Sequence, residues 1–162
     1  MGGAPDETSV VEHEVRIAAR PETVFPYFTD PAKMVLWMGM DATLDPRPGG
    51  ICRIAVNGAG VMVGRYVQVV APSRVTFTWG WEERLFDVPP QSTAVEVSLT
   101  PDGEGTIVRL AHRRLPGGAA EQHRRGWGHY LARLAAVAAG DNPGPDPWLD
   151  VQTAARGLAG RD

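Results

Sequence analysis

The stretch Arg74-Val75-Thr76-Phe77-Thr78-Trp79-Gly80-Trp81 decides how this chain folds. Val75, Phe77, Trp79 and Trp81 alternate with Thr76, Thr78 and Gly80. Large apolar residues at every second position mark a strand with one buried face. Outward from it, residues 93–100 repeat the pattern, with Val95, Val97 and Leu99 set against Glu96 and Ser98. Residues 106–113 form the next strand after a turn at 101–105, and residues 82–92 are a longer loop containing Pro89-Pro90. On the other side, Ala71-Pro72-Ser73 is a turn and residues 61–70 are a strand. Asn57-Gly58 marks a tight hairpin, which pairs that strand with residues 51–56. A Pro/Gly-rich turn at 46–50 and a short strand at 42–45 complete the run. Six strands in a row on short connections require an antiparallel sheet.

Two further segments fix the architecture. Residues 10–18 form a seventh strand, Val11, His13, Val15 and Ile17 facing inward; Arg20-Pro21-Glu22 and Asp30-Pro31 then each open a short helix, the second over residues 32–37. Beyond Pro116-Gly117-Gly118, Trp127, Tyr130, Leu131, Leu134 and Ala138 share one helix face, and Gly140 ends that helix. This is the one element long enough to cover the sheet, which must curve around it and leave a gap where the two diverge. The division expected is a disordered start at 1–9, a domain at 10–140, and a Pro-rich linker and tail at 141–162, with a last short helix at 148–158.

Composition narrows the function classes. The 162 residues have a one-domain length, and a net charge of -3 gives no reason to expect a nucleic-acid partner. No apolar run approaches the roughly 20 residues a membrane-spanning helix needs, so no membrane insertion is expected. Residues 1–9 lack the basic start and apolar stretch of a signal peptide. Cys52 is the only cysteine, which excludes an internal disulfide and a cysteine-based zinc site and leaves a small buried apolar side chain as its reading. A cytoplasmic protein without metal or cofactor is the expectation.

The ordered segments resemble the activator of Hsp90 ATPase homologue 1-like (AHSA1-like) branch of the START/SRPBCC superfamily. The carriers are the run from Val15 to Phe25, Asp30-Pro31-Ala32-Lys33 through Trp37, Pro48-Gly49-Gly50, Gly64-Arg65-Tyr66, the run from Pro72 to Trp79, Gly103-Glu104-Gly105-Thr106 with His112, and the run from Gly126 to Leu134. The resemblance implies an α+β helix-grip fold of the START/Bet v 1 kind. It leaves function open among lipid carriers, polyketide cyclases and aromatases, receptors and chaperone activators.

Trp37, Phe77, Trp79, Trp81 and Trp127 are the strongest candidates for a pocket wall, because aromatic rings give large apolar area with few rotamers to freeze. Met34, Met38, Met40 and Met62 would add adaptable surface, as a gate or as gap-filling core. His112 shares an inward strand face with Val108 and Leu110; it is either an acid–base group in an apolar cavity or a buried, hydrogen-bonded structural histidine. Tyr66, Tyr130 and His123 are the further polar candidates, Tyr130 being on the helix face of Trp127. Arg53 and Glu82 read as solvated. Three functions follow: binding of a small hydrophobic or aromatic molecule in the sheet–helix cavity; a polyketide cyclase, aromatase or dehydratase using His112, Tyr66 and Tyr130; or a chaperone-activator-like or stress-regulatory interaction module. A homodimer is compatible with each.

Overall fold

The computed structural model describes residues 8–149. The element order is β1 (Thr8–Ile17), α1 (Pro21–Val24), a 3-10 turn (Phe25–Phe28), α2 (Pro31–Met34), β2 (Asp41–Leu44), β3 (Ile51–Asn57), β4 (Gly60–Val70), β5 (Arg74–Trp79), β6 (Thr93–Asp102), β7 (Gly105–Pro116) and α3 (Ala120–Ala138). The strands form one seven-stranded antiparallel sheet in the order β1-β7-β6-β5-β4-β3-β2. Only β1 leaves chain order, crossing to pair with β7. That crossing carries α1 and α2 over one end of the sheet.

The alternation in the sequence is realised as burial. Val75, Phe77 and Trp79 of β5 and Val95, Val97 and Leu99 of β6 all point into the core. The long helix α3 packs against β1, and its own buried face is His123, Trp127, Tyr130, Leu131 and Leu134. Its end is a Schellman motif: Gly140 at φ 93 donates to Val137, and Asp141 donates to Ala136. The helix N-terminal to β2 is shorter than expected. α2 is a single turn capped by Asp30, whose carboxylate accepts from Ala32 N–H at 3.0 Å. Gly39, at φ 88, turns the chain into β2.

Two strands differ from the sequence reading. β5 ends at Trp79, where its pairing with β6 ends; pairing toward β4 continues through Val63 N–H to Gly80 O at 2.9 Å and an isolated bridge of Trp81 to Met62. β7 runs past Arg113 to Pro116 because Arg114, at φ 67, inserts a bulge opposite Ser9–Val11. The bulge leaves Arg113 and Arg114 both exposed and returns Leu115 to the core.

Residues 141–146 cross back over α3 as an extended linker. Arg133 Nη2 donates to Gly144 O at 3.0 Å, and Trp148 stacks on His129 at 3.9 Å with the rings 7° from parallel. The tail is therefore docked as far as Leu149; the helix expected at 148–158 lies otherwise outside the described residues.

Candidate functional site

Where α3 crosses β5, aromatic side chains converge from both layers. The Trp79 ring lies at the centre, 5.0 Å from Trp127, 5.4 Å from Trp81 and 5.5 Å from His112 between ring centroids. His123 completes the group, its ring edge-on to His112 at 5.2 Å.

Two hydrogen-bonded chains fix the protons. Trp127 Nε1–H donates to His112 Nδ1 at 3.0 Å. An indole N–H is only a donor, so the His112 proton must sit on Nε2, which meets Thr93 Oγ1 at 2.8 Å. The threonine hydroxyl then donates to Trp79 O at 2.7 Å. In the second chain Trp81 Nε1–H donates to His123 Nε2 at 3.1 Å, which places the His123 proton on Nδ1, where it bonds Ala119 O at 2.8 Å. The two imidazoles are thus neutral, of opposite tautomer, and all their ring nitrogens are engaged.

Burial holds the His112 pKa well below the usual histidine value, and proximity to His123 adds to it; burial likewise lowers His123, against the Ala119 hydrogen bond. The expected result of a ¹⁵N NMR titration is that neither ring protonates where an ordinary histidine does, near pH 6.5, with His112 reporting Nε2–H and His123 reporting Nδ1–H. Because the unfolded chain takes up these protons first, stability is full above about pH 6.5 and falls as the pH drops through the lowered folded-state values. Stability constant between pH 7 and 5 would contradict this.

The gap expected between sheet and helix is nearly closed. The void bounded by Met38, Val56, Trp79, Trp81, Trp127 and Tyr130, with Gly126 and His123, has a volume of about 20 Å³, room for about one water molecule. Side chains from both layers fill the rest, and the loop after β5 roofs it. Phe86 lies edge-on to His123 at 5.6 Å, Val88 is fully buried, and its carbonyl accepts from Trp81 N–H at 2.8 Å. Four residues of this loop, Arg84, Phe86, Asp87 and Gln91, are left-handed at φ 58–60 although none is glycine. Such a concentration of disfavoured backbone is characteristic of segments with a functional constraint. On the opposite flank Trp148 meets the Tyr130 ring edge-on at 5.8 Å.

Two groups of the void's wall keep a buried proton without an acceptor, Trp79 Nε1–H and Tyr130 Oη–H, and Asn57 Nδ2 lies next to the phenol oxygen. Asn57 is oriented by its Oδ1, which accepts from Ala59 and Gly60 N–H at 2.8 and 3.0 Å. Burial raises the Tyr130 phenol and the Asp146 charge raises it further, against a hydrogen bond from the Asn57 side chain and the Arg133 charge, so it is a neutral O–H.

The structure thus brings together Met38, Trp79, Trp81, Trp127 and Tyr130, with His112 behind Trp79. The other candidates stand apart from the void. Trp37 donates to Tyr27 O at 3.0 Å and packs on Phe28. Tyr66 donates to Phe28 O at 2.8 Å, with Phe77 edge-on to its ring at 6.1 Å. Met62 is buried beside Trp81 in β4. Cys52 is buried near Tyr66, and burial pushes its thiol up to about 12, where it is inert. Arg53 faces solvent, paired with Glu82 at 3.2 Å. Val56, Asn57, Phe86 and Gly126 were not marked by the sequence. The role of His123 was visible in its spacing, because His123, Trp127 and Tyr130 fall at i, i+4 and i+7 on one helix face.

A larger concavity, about 450 Å³, lies on the outer sheet face among Glu12, Glu14, Arg74, Glu96 and Arg109. It is exposed, and its two arginines are already paired, Arg109 with Glu14 at 2.8 Å and Arg74 with Glu96 at 3.9 Å. Among the described residues no three His, Cys, Asp or Glu side chains are grouped to hold a metal ion, and no helix is long and apolar enough to cross a membrane.

A curved antiparallel sheet gripping a long C-terminal helix, with its interior lined by aromatic residues, places the chain in the helix-grip class. Within that class it belongs to the activator of Hsp90 ATPase homologue 1-like family, which it matches over residues 18–139. An AHSA1-like protein from Rhizobium etli is 43% identical over 91% of this chain and 92% of its own, with a TM-score of 0.71. The same fold is found at 20% identity in DynU16, a protein of the dynemicin biosynthetic locus, over 92% of this chain and 60% of that one, with a TM-score of 0.71. It recurs at 17% identity in the Aha1 dimer from Colwellia psychrerythraea, over 85% of this chain and 99% of that one, with a TM-score of 0.70. No curated protein sequence matches the chain.

Proposed function

We propose that the domain binds a small hydrophobic or aromatic molecule between the sheet and α3, in a site that opens to admit it. The observation that carries this reading is the convergence of Trp79, Trp81 and Trp127 on a void edged by unpartnered buried donors. Buried polar groups in folded proteins are nearly always satisfied, so donors left free beside a void suit a site completed by something else. The roofing loop, with its four left-handed residues, supplies a segment able to move aside. The likeness to DynU16 adds a precedent for this fold in small-molecule biosynthesis.

The cyclase-type reading has less support. General acid–base catalysis needs a group free to exchange a proton with substrate. Both nitrogens of His112 are engaged, and the Tyr66 hydroxyl is bonded to Phe28 O. Tyr130 alone would remain. A cytoplasmic location and a homodimer are part of the proposal, the latter supported by the dimeric Colwellia structure of the same fold.

Native mass spectrometry of the purified protein, followed by denaturing extraction, tests the binding reading. A stoichiometric apolar passenger is the expected result. A clean apo mass, with no tryptophan fluorescence change across a panel of apolar ligands, would overturn it.

A further inference from the structure

We infer that the molecule bound here presents an uncharged oxygen acceptor, a carbonyl or ether on a flat apolar skeleton, to Trp79 Nε1–H and Tyr130 Oη–H. The inference rests on the binding reading above and deepens it by naming the chemical class of the ligand.

The polar atoms available at the void decide this. Trp81 and Trp127 donate their indole protons to His123 and His112, and the other imidazole nitrogens are bonded to Ala119 O and Thr93 Oγ1. What remains in the wall without an acceptor is the proton of Trp79 Nε1 and that of Tyr130 Oη, with Asn57 Nδ2 close to the phenol. An indole nitrogen and an amide nitrogen can only donate; the phenol can donate or accept. A ligand oxygen could accept from Trp79 Nε1–H or from Tyr130 Oη–H. A ligand N–H would find one acceptor, the phenol oxygen, and would leave Trp79 unpaired.

Charge excludes the ionised forms. No carboxylate or cationic side chain belongs to the wall. Asp146 lies outside it, with one carboxylate oxygen holding His129 Nε2 and Trp148 N–H at 2.8 and 2.9 Å. Its other oxygen is buried and unpartnered, and its negative charge already disfavours the phenolate of Tyr130. It would disfavour a carboxylate ligand in the same way. Arg133, the nearest cation acting on Tyr130, is turned to Gly144 O. A cationic ligand would have to be desolvated among indole rings with no carboxylate in contact, which is unfavourable.

The test uses three probes of one size and shape: 1-indanone, which offers an acceptor, indane, which offers nothing, and indoline, which offers an N–H. Each is titrated into the full chain labelled with ¹⁵N-tryptophan. The expected result is that 1-indanone binds about tenfold more tightly than indane and indoline no more tightly than indane. The indole N–H signal absent from Trp79→Phe should move downfield with 1-indanone alone. Tyr130→Phe keeps the ring and removes only the hydroxyl, so it is expected to fold; it should lower the 1-indanone to indane affinity ratio several-fold. Equal binding of 1-indanone and indane, with the Trp79 signal unmoved, would overturn the acceptor inference and leave the apolar cavity standing. A preference for indoline would overturn it as well. Failure of every probe to bind would remove the binding reading together with the inference.

Discussion

His112→Ala is expected to lower the stability of this domain by about 3–5 kcal/mol in urea denaturation. The side chain is fully buried and joins three elements, with β7 carrying it, β6 supplying Thr93 and α3 supplying Trp127. Truncation leaves a cavity beside Trp79. It also leaves the Trp127 indole N–H without an acceptor, and an unsatisfied buried donor is itself worth about 1–3 kcal/mol. Both effects follow from loss of the one imidazole. The coupling is testable in a double-mutant cycle with Trp127→Phe, which should cost less in the His112→Ala background than alone. A loss under about 1 kcal/mol would mean that the His112 chain does not hold helix to sheet, and would restore its candidacy as an acid–base group.

Gly80→Ala should also be strongly damaging, at about 2–4 kcal/mol, since overpacking costs about 1–3 and more where backbone must yield. Gly80 lies between Trp79 and Trp81, and an added Cβ would collide with the carbonyl of Pro89 and the Cα of Pro90. Those atoms belong to the roofing loop, which is pinned by Trp81 N–H to Val88 O and by Gln91 N–H to Val63 O at 2.8 and 3.1 Å. Relief of the clash requires that loop to lift. Acrylamide quenching of tryptophan fluorescence should therefore rise in the folded variant together with the loss of stability. Unchanged quenching in a destabilised variant would show that the loop does not cover the indoles.

The contrast between these two positions shows what the sequence could convey. The seven strands were legible because each has one wet face, and alternation records that directly: Val75, Phe77 and Trp79, or Val95, Val97 and Leu99. The helix face of Trp127, Tyr130 and Leu134 was legible for the same reason at a different period. His112 could be assigned to the inward face, yet its partners came from residues 19 and 15 positions away in β6 and α3, which no local pattern encodes. Closure of the gap depended on the path of residues 82–92. Their left-handed turns at Arg84, Phe86, Asp87 and Gln91 carry no glycine to announce them. The extension of β7 hid behind Arg113-Arg114, a pair that reads as a strand end until a bulge at Arg114 puts both in solvent. Tyr66 was a polar candidate, and its side chain does point inward, but inward there means toward Phe28, at the end covered by α1 and α2.

The most direct test of the binding account is an isotope-filtered NOE experiment on the ¹³C,¹⁵N-labelled protein with unlabelled 1-indanone. Contacts from ligand protons to the rings of Trp79, Trp81 and Trp127 and to the Met38 methyl group are predicted, which would place the molecule between β5 and α3. Contacts confined to exposed apolar side chains such as Leu36 and Met40, with none to the three indoles, would contradict the account.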